Sequence, residues 1–202
     1  MTADDLIDAV RDDQQTELSR LGSSKTLYAD TRGEMEPDNI HAAAAARDAA
    51  AADTFAAWAD EEGHDGAADL FEDAAAEAAD RVGDTEPADR DFAMHDALGG
   101  LDATVEQLGG FVGWTLVDRK VKGQLTGFFT GQADPQTAST YRSAGNEVEA
   151  LRAEAADLLD ETCDGDDDWD AAEAAAIDAV AAAYDDYVET LEELGVNPKD
   201  VC

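Results

Sequence analysis

The chain has 202 residues, with 49 Asp or Glu against 13 Lys or Arg, for a formal net charge of −36 at pH 7. Self-repulsion of that size opposes compaction at ordinary ionic strength, and it argues against direct binding to the phosphates of a nucleic acid. Yet 44% of residues are hydrophobic and the acids run through the whole length, which excludes a disordered acidic tail; no apolar run reaches the ~18 residues of a membrane span.

Six stretches carry helical periodicity and none reads as a strand. The first, from about Ala3 to Leu21, places Leu6, Ile7, Val10, Leu18 and Leu21 on one face, with Thr2 and Asp5 spaced as a capping box. Gly22-Ser23-Ser24 ends it, and a loop follows through Met35 and Pro37. The second helix, from about Asp38 to Glu62, is nearly an alanine rod whose large apolar residues are Ile40, Phe55 and Trp58. Gly63 breaks it, Asp65 is placed to cap the third, and that helix runs to Val82. So short a connection forces the two helices antiparallel. After Gly83 and Pro87 comes a longer connection with a short helical piece around Phe92 to Leu98. The fourth helix, Leu101 to Gly131, is the most apolar. The fifth starts after Asp134-Pro135, proline being tolerated in a first turn, and ends near Cys163. An acidic break at 164–168 precedes the sixth, which buries Trp169, Ile177, Val180, Tyr184, Val188 and Leu191 and stops at Gly195 and Pro198. The expected architecture is an all-α, antiparallel helical bundle.

The kind of acidity also matters. Asp outnumbers Glu by 32 to 17 and only four lysines remain. Short, hydrated carboxylates in place of long stems suit a salt-filled cytoplasm, where at about 1 M salt the Debye length falls to about 3 Å. The opening residues lack the basic and apolar regions of a secretory leader. Two cysteines far apart, Cys163 and Cys202, suit reduced thiols better than a disulfide framework. A cytoplasmic location is therefore expected.

Within the fourth helix, Gly109, Gly110, Gly113, Gly123, Gly127 and Gly131 each cost about 0.5–1 kcal/mol relative to alanine. Gly123, Gly127 and Gly131 fall four apart and form a bare stripe, open either to tight packing or to a protein partner or second copy along the Gly109–Gly131 helix. Arg119, Lys120 and Lys122 of this helix must find carboxylates or bind an anion.

An acidic helical bundle raises the question of a bimetal centre, which needs a Glu from each of two helices and Glu-x-x-His from each of two others. The one literal match, Glu61-Glu62-Gly63-His64, falls at a turn, and His41 and His95 stand near a helix start and in a connection. The hairpin Arg47 to Arg81, with Thr54-Phe55, Trp58-Ala59 and Leu70-Phe71-Glu72-Asp73-Ala74-Ala75, resembles the first helical pair of the rubrerythrin and ferritin-like proteins. Where that family carries Glu-x-x-His, this chain has Glu77 and then Asp80; Asp48 stands where a buried Glu is expected; and the stretch around Glu147 and Glu149 has no histidine. The stretches from Leu18 to Lys25, Gly127 to Phe129 and Gly195 to Pro198 also resemble haloarchaeal proteins described as rubrerythrin-like, and similar sequences carry a transcription antitermination label.

The resemblance implies a ferritin-like four-helix core at 37–163 in a single 1–202 domain, with an N-terminal helix and loop at 1–36 and a C-terminal helix and tail at 164–202. It implies a scaffold for binding or regulation that has lost its di-iron site, with no cofactor. Two alternatives remain. One is an antitermination-associated factor acting through protein contacts. The other is a carboxylate-only metal site for iron or manganese at Asp48, Glu77, Asp80 and Glu147, oxygen ligands suiting Mg²⁺, Ca²⁺ or Mn²⁺ better than redox iron.

Overall fold

The computed structural model describes residues 1–198; Lys199 and Cys202 lie outside them. Among the described residues the chain is helical with no strand, in the order α1 (Ala3–Asp13), α2 (Gln15–Leu21), α3 (Ser24–Asp30), α4 (Pro37–Glu61), α5 (Asp65–Val82), α6 (Ala93–Leu98), α7 (Thr104–Gly131), α8 (Pro135–Thr162) and α9 (Asp166–Glu193). None of these helices is long and apolar enough to cross a membrane.

Most ends follow from local chemistry. Thr2 and Asp5 close a reciprocal capping box on α1. Pro37 and Pro135 open α4 and α8 from the first turn, and the Asp134 carboxylate accepts from the Thr137 N–H at 3.1 Å. Gly83, at φ +51°, ends α5. Gly195, at φ +72°, lets the Val196 N–H return to the Leu191 carbonyl at 2.8 Å, a Schellman closure. The cap of α5 differs from expectation: the His64 ring, not Asp65, accepts the Ala67 N–H at 3.2 Å.

Two local differences stand out. The first expected helix is broken at Gln14, a buried residue with ψ +24°, where neither proline nor glycine marks the sequence. The expected loop after it holds α3, whose Thr26 hydroxyl donates to the Leu21 carbonyl at 2.7 Å.

Helix α7 is the axis of the molecule, with every residue from Gln107 to Asp118 buried. It packs along α8 on one side and α9 on another, while α4 pairs with α5. A ring cluster joins the α4/α5 pair to α7: Phe55 lies 4.9 Å from Phe111 and 4.7 Å from Trp114, and Trp58 lies 5.0 Å from Phe71, centroid to centroid. The helix at 166–193, expected as an addition to the core, lies along α7 as intimately as α8 does. Glycine explains it. A Cβ on Gly109 would stand 2.1 Å from the Ala172 carbonyl oxygen, and one on Gly113 2.5 Å from that of Ala176. The glycines at 109 and 113 are therefore covered from within, whereas Gly127 and Gly131 have nothing within 4 Å of an added Cβ.

A buried ion-pair centre as candidate functional site

The helical spacing of α7 puts Asp118 and Lys122 one turn apart, and both are buried. Opposite them α4 presents Asp48, 3% exposed. The Lys122 ammonium donates to both Asp48 oxygens at 2.8 Å and lies 3.7 Å from Asp118. From α5, Arg81 Nε donates to Asp48 Oδ1 at 3.0 Å, and its Nη1 faces Glu77 at 3.7 Å and Glu147 of α8 at 3.6 Å. Two buried carboxylates and two cations from α4, α5 and α7 thus share one centre, with Glu77 and Glu147 of α8 at its edge. A pair this deep persists because each charge removes the uncompensated desolvation cost of the other.

The centre opens into a cleft of about 530 Å³ whose walls include Asp48, Glu77, Asp80, Glu147, His41 and Tyr141. All four sequence-derived candidate ligands reach this one cleft, in different states. Asp48 is buried and committed to Lys122 and Arg81. Glu77 is half-buried, and Asp80 and Glu147 are exposed at the mouth. Burial pushes the Glu77 carboxyl up; Arg81 opposes that shift, and Glu147 and nearby acids reinforce it. For Arg81, burial alone would lower the pKa, but Asp48 and Asp118 outweigh it and the net shift is upward. Both Nη atoms of Arg81 and Oε2 of Glu77 are buried without a hydrogen-bond partner, Nη1 and Oε2 being joined only by their 3.7 Å ion pair. His41 Nδ1 shares a hydrogen bond with the Tyr141 hydroxyl at 2.9 Å, and its ring lies 4.6 Å from that of Phe129, which stacks on Tyr141 at 5.5 Å. Burial first, and then Asp48, raise the Tyr141 pKa, so the phenol stays neutral.

These residues do not fit a bimetal centre. Both Asp48 oxygens are taken by an ammonium, and Glu77 and Glu147 face a guanidinium. Among the described residues no three His, Cys, Asp or Glu side chains are grouped to hold a metal ion. The other histidines serve elsewhere. His64 caps α5 at the solvated turn. His95 contacts the Thr54 hydroxyl at 2.9 Å, and because that hydroxyl donates to the Ala50 carbonyl at 2.9 Å, the ring is assigned as the Nδ1–H donor. Burial, Asp168, Asp160 and Asp164 push the Cys163 thiol up to about 11, away from its thiolate form.

Lys122 and Arg81 are the residues that a search for metal ligands passes over. The signal for Lys122 was present: a lysine between Val121 and the Leu125–Phe129 stripe, one turn after Asp118, falls on a register that buries it. Fold and site together define a helical bundle whose central carboxylates are neutralised by the chain's own cations. Comparison with protein-family models, with curated proteins and with solved structures finds no match to this chain.

Proposed function

We propose that the chain is a ferritin-like binding scaffold and not a metal enzyme, with Lys122 and Arg81 standing where a di-iron bundle would hold its metals. One observation carries this reading: the Lys122 ammonium, fully buried, lies 2.8 Å from both oxygens of Asp48. The pairs α4/α5 and α7/α8 are compatible with a ferritin-like four-helix core, with Asp48 buried between them and Glu77, Asp80 and Glu147 lining the adjoining cleft. An ammonium has neither accessible redox states nor open coordination positions, so the centre gives structure without redox chemistry. What remains available is the adjoining cleft, where Arg81, His41 and Tyr141 offer fixed polar groups to a ligand or to a partner's side chain.

Elemental analysis of the protein purified in concentrated KCl tests the reading. Iron and manganese well below one per chain are expected, together with a thermal midpoint indifferent to added Mn²⁺. Stoichiometric iron or manganese in the unaltered protein would overturn it. In Lys122→Met, Asp118 loses its cation and Asp48 keeps only Arg81, and Mn²⁺ should then raise the midpoint.

A further inference from the structure

A second cleft, remote from the Asp48 centre, inverts the charge balance of the molecule. It measures about 830 Å³ and lies between α1, α2, α7 and α8. Four cations line it, Arg11, Arg119, Lys120 and Arg152, against one acid, Glu149. In a chain with 13 cations and 49 acids, this composition runs opposite to the rest of the surface. Elsewhere the buried cations Lys122, Arg81, Arg47 and Arg90 are each paired with carboxylates. Here only Arg119 holds a close partner, Glu149 at 2.9 Å, and Arg11 has an exposed one, Asp8 at 3.4 Å. Among the described residues Lys120 and Arg152 make no ion pair or hydrogen bond. Burial, and then the like charges of Arg11 and Arg119, lower the Arg152 pKa, with Glu149 only partly opposing them. Such repulsion is relieved by an anion.

The backbone makes room for this grouping. Gly145 of α8 is buried, and a Cβ there would meet the Arg119 guanidinium at 3.3–3.4 Å, so the glycine lets Arg119 lie across the α7/α8 seam. A Cβ on Gly22 would meet the Lys120 stem at 3.2 Å, so that glycine seats Lys120 against the end of α2. Gln15 and Ser19 add exposed polar groups on the α2 wall.

We infer that this cleft binds a compact, multiply charged phosphate compound, of the size of a di- or triphosphate. Four cations converging from three helices match several phosphate oxygens at once, with the arginines able to bind in bidentate fashion. The volume exceeds what one phosphate fills. The lining holds no aromatic ring on which a nucleobase could stack, and the acids outside the cleft repel an extended nucleic-acid backbone. The ligand is therefore a small polyanion and not a polynucleotide.

Calorimetric titration of the full chain in KCl with pyrophosphate and tripolyphosphate tests this. One saturable site per chain is expected, weaker at each higher KCl step. Lys120→Gln and Arg152→Gln should each weaken binding on the order of tenfold, as loss of one charge-assisted contact does. Neither leaves a carboxylate orphaned, so both should keep the thermal midpoint of the parent or raise it. Glu149→Gln removes the one acid and frees Arg119, and should tighten binding several-fold, a readout of opposite sign that a folding defect does not imitate. No saturable binding of either compound would overturn the inference. So would an affinity unchanged in the Lys120→Gln/Arg152→Gln double variant, or RNA binding tighter than tripolyphosphate with the same sensitivity to these variants.

Discussion

Inside α7, Lys122 faces two carboxylates, Asp48 and Asp118, and Asp48 in turn faces a second cation, Arg81. Removing one charge from such a group exposes the rest to a medium that cannot solvate them. Lys122→Met keeps the apolar stem but leaves Asp118 unpaired, and should cost about 3–5 kcal/mol in urea unfolding. Arg32→Gln, which breaks the exposed pair with Glu193, should change stability by less than about 1 kcal/mol. A Lys122→Met loss as small as the Arg32→Gln one would mean the centre is solvated. Asp30 forms a parallel case: it accepts from Arg47 at 2.6 and 2.8 Å, with Arg90 at 3.8 Å. Both guanidiniums lie over the Phe92 ring, at 4.7 and 5.1 Å from its centroid, so a single aromatic residue spaces two like charges and gains a cation–π contact on each.

His95, beside this cluster, links the residue scale to pH. Burial, then the charge of Arg47, bring its pKa down from 6.5 to about 4. The unfolded chain therefore binds a proton near pH 6.5 that the folded chain refuses until about pH 4. The neutral ring's contribution is complete above pH 6.5 and is lost as the pH falls through that window, a loss on the order of 3 kcal/mol. Protonation of surface acids acts in the opposite direction over part of the same range, so the difference between parent and His95→Gln isolates the histidine. The parent's unfolding free energy should fall more steeply than the variant's between pH 6.5 and 4. Equal slopes would place the ring in solvent.

At the scale of the element, the glycines of α7 divide into two kinds that the sequence presents alike. Gly109 and Gly113 are spacers against α9. Gly127 is exposed with nothing near it. Gly109→Ala drives a methyl group into the Ala172 backbone and should destabilise by at least the ~1–3 kcal/mol of ordinary overpacking. Gly127→Ala should stabilise by about 0.5–1 kcal/mol, because it restricts only the unfolded chain and favours helix. Opposite signs in paired urea titrations are the expected result; a stabilised Gly109→Ala would mean that α9 does not touch α7. Helix ends were legible in the sequence because prolines, glycines and short polar caps act through local geometry. Helix α3 and the break at Gln14 were not: Asp30 closes α3 through arginines 17 and 60 positions further on, and Gln14 has neither glycine nor proline beside it to mark the break. The candidate site was legible in the same partial way. Its carboxylates were named through the family resemblance, but the cations that face them come from α5 and α7 and meet Asp48 only in three dimensions.

For the whole molecule, the decisive quantity is charge density at the surface over a core closed by small residues. Alanine supplies about half of the buried positions of α4 and α9, and α7 meets α9 through Gly109 and Gly113 among its larger apolar side chains, so close backbone approach works beside the Phe and Trp cluster in closing the core. Against this stands a charge of −36, whose mutual repulsion extends over about 10 Å at 0.1 M salt and about 3 Å at 1 M. The buried Asp48–Lys122 pair is not screened by added ions, so salt should act almost entirely through the exposed carboxylates. The thermal midpoint is therefore expected to rise steadily with KCl from about 0.1 M to above 1 M. Sucrose at equal osmolality should reproduce only the smaller part of the rise that comes from solute exclusion. In urea, which carries no charge, unfolding should begin at once at low KCl; in guanidinium chloride the first additions should stabilise by screening before denaturation takes over. A midpoint that stays level across the KCl series, with identical early behaviour in the two denaturants, would show that the surface acids are already balanced within the fold.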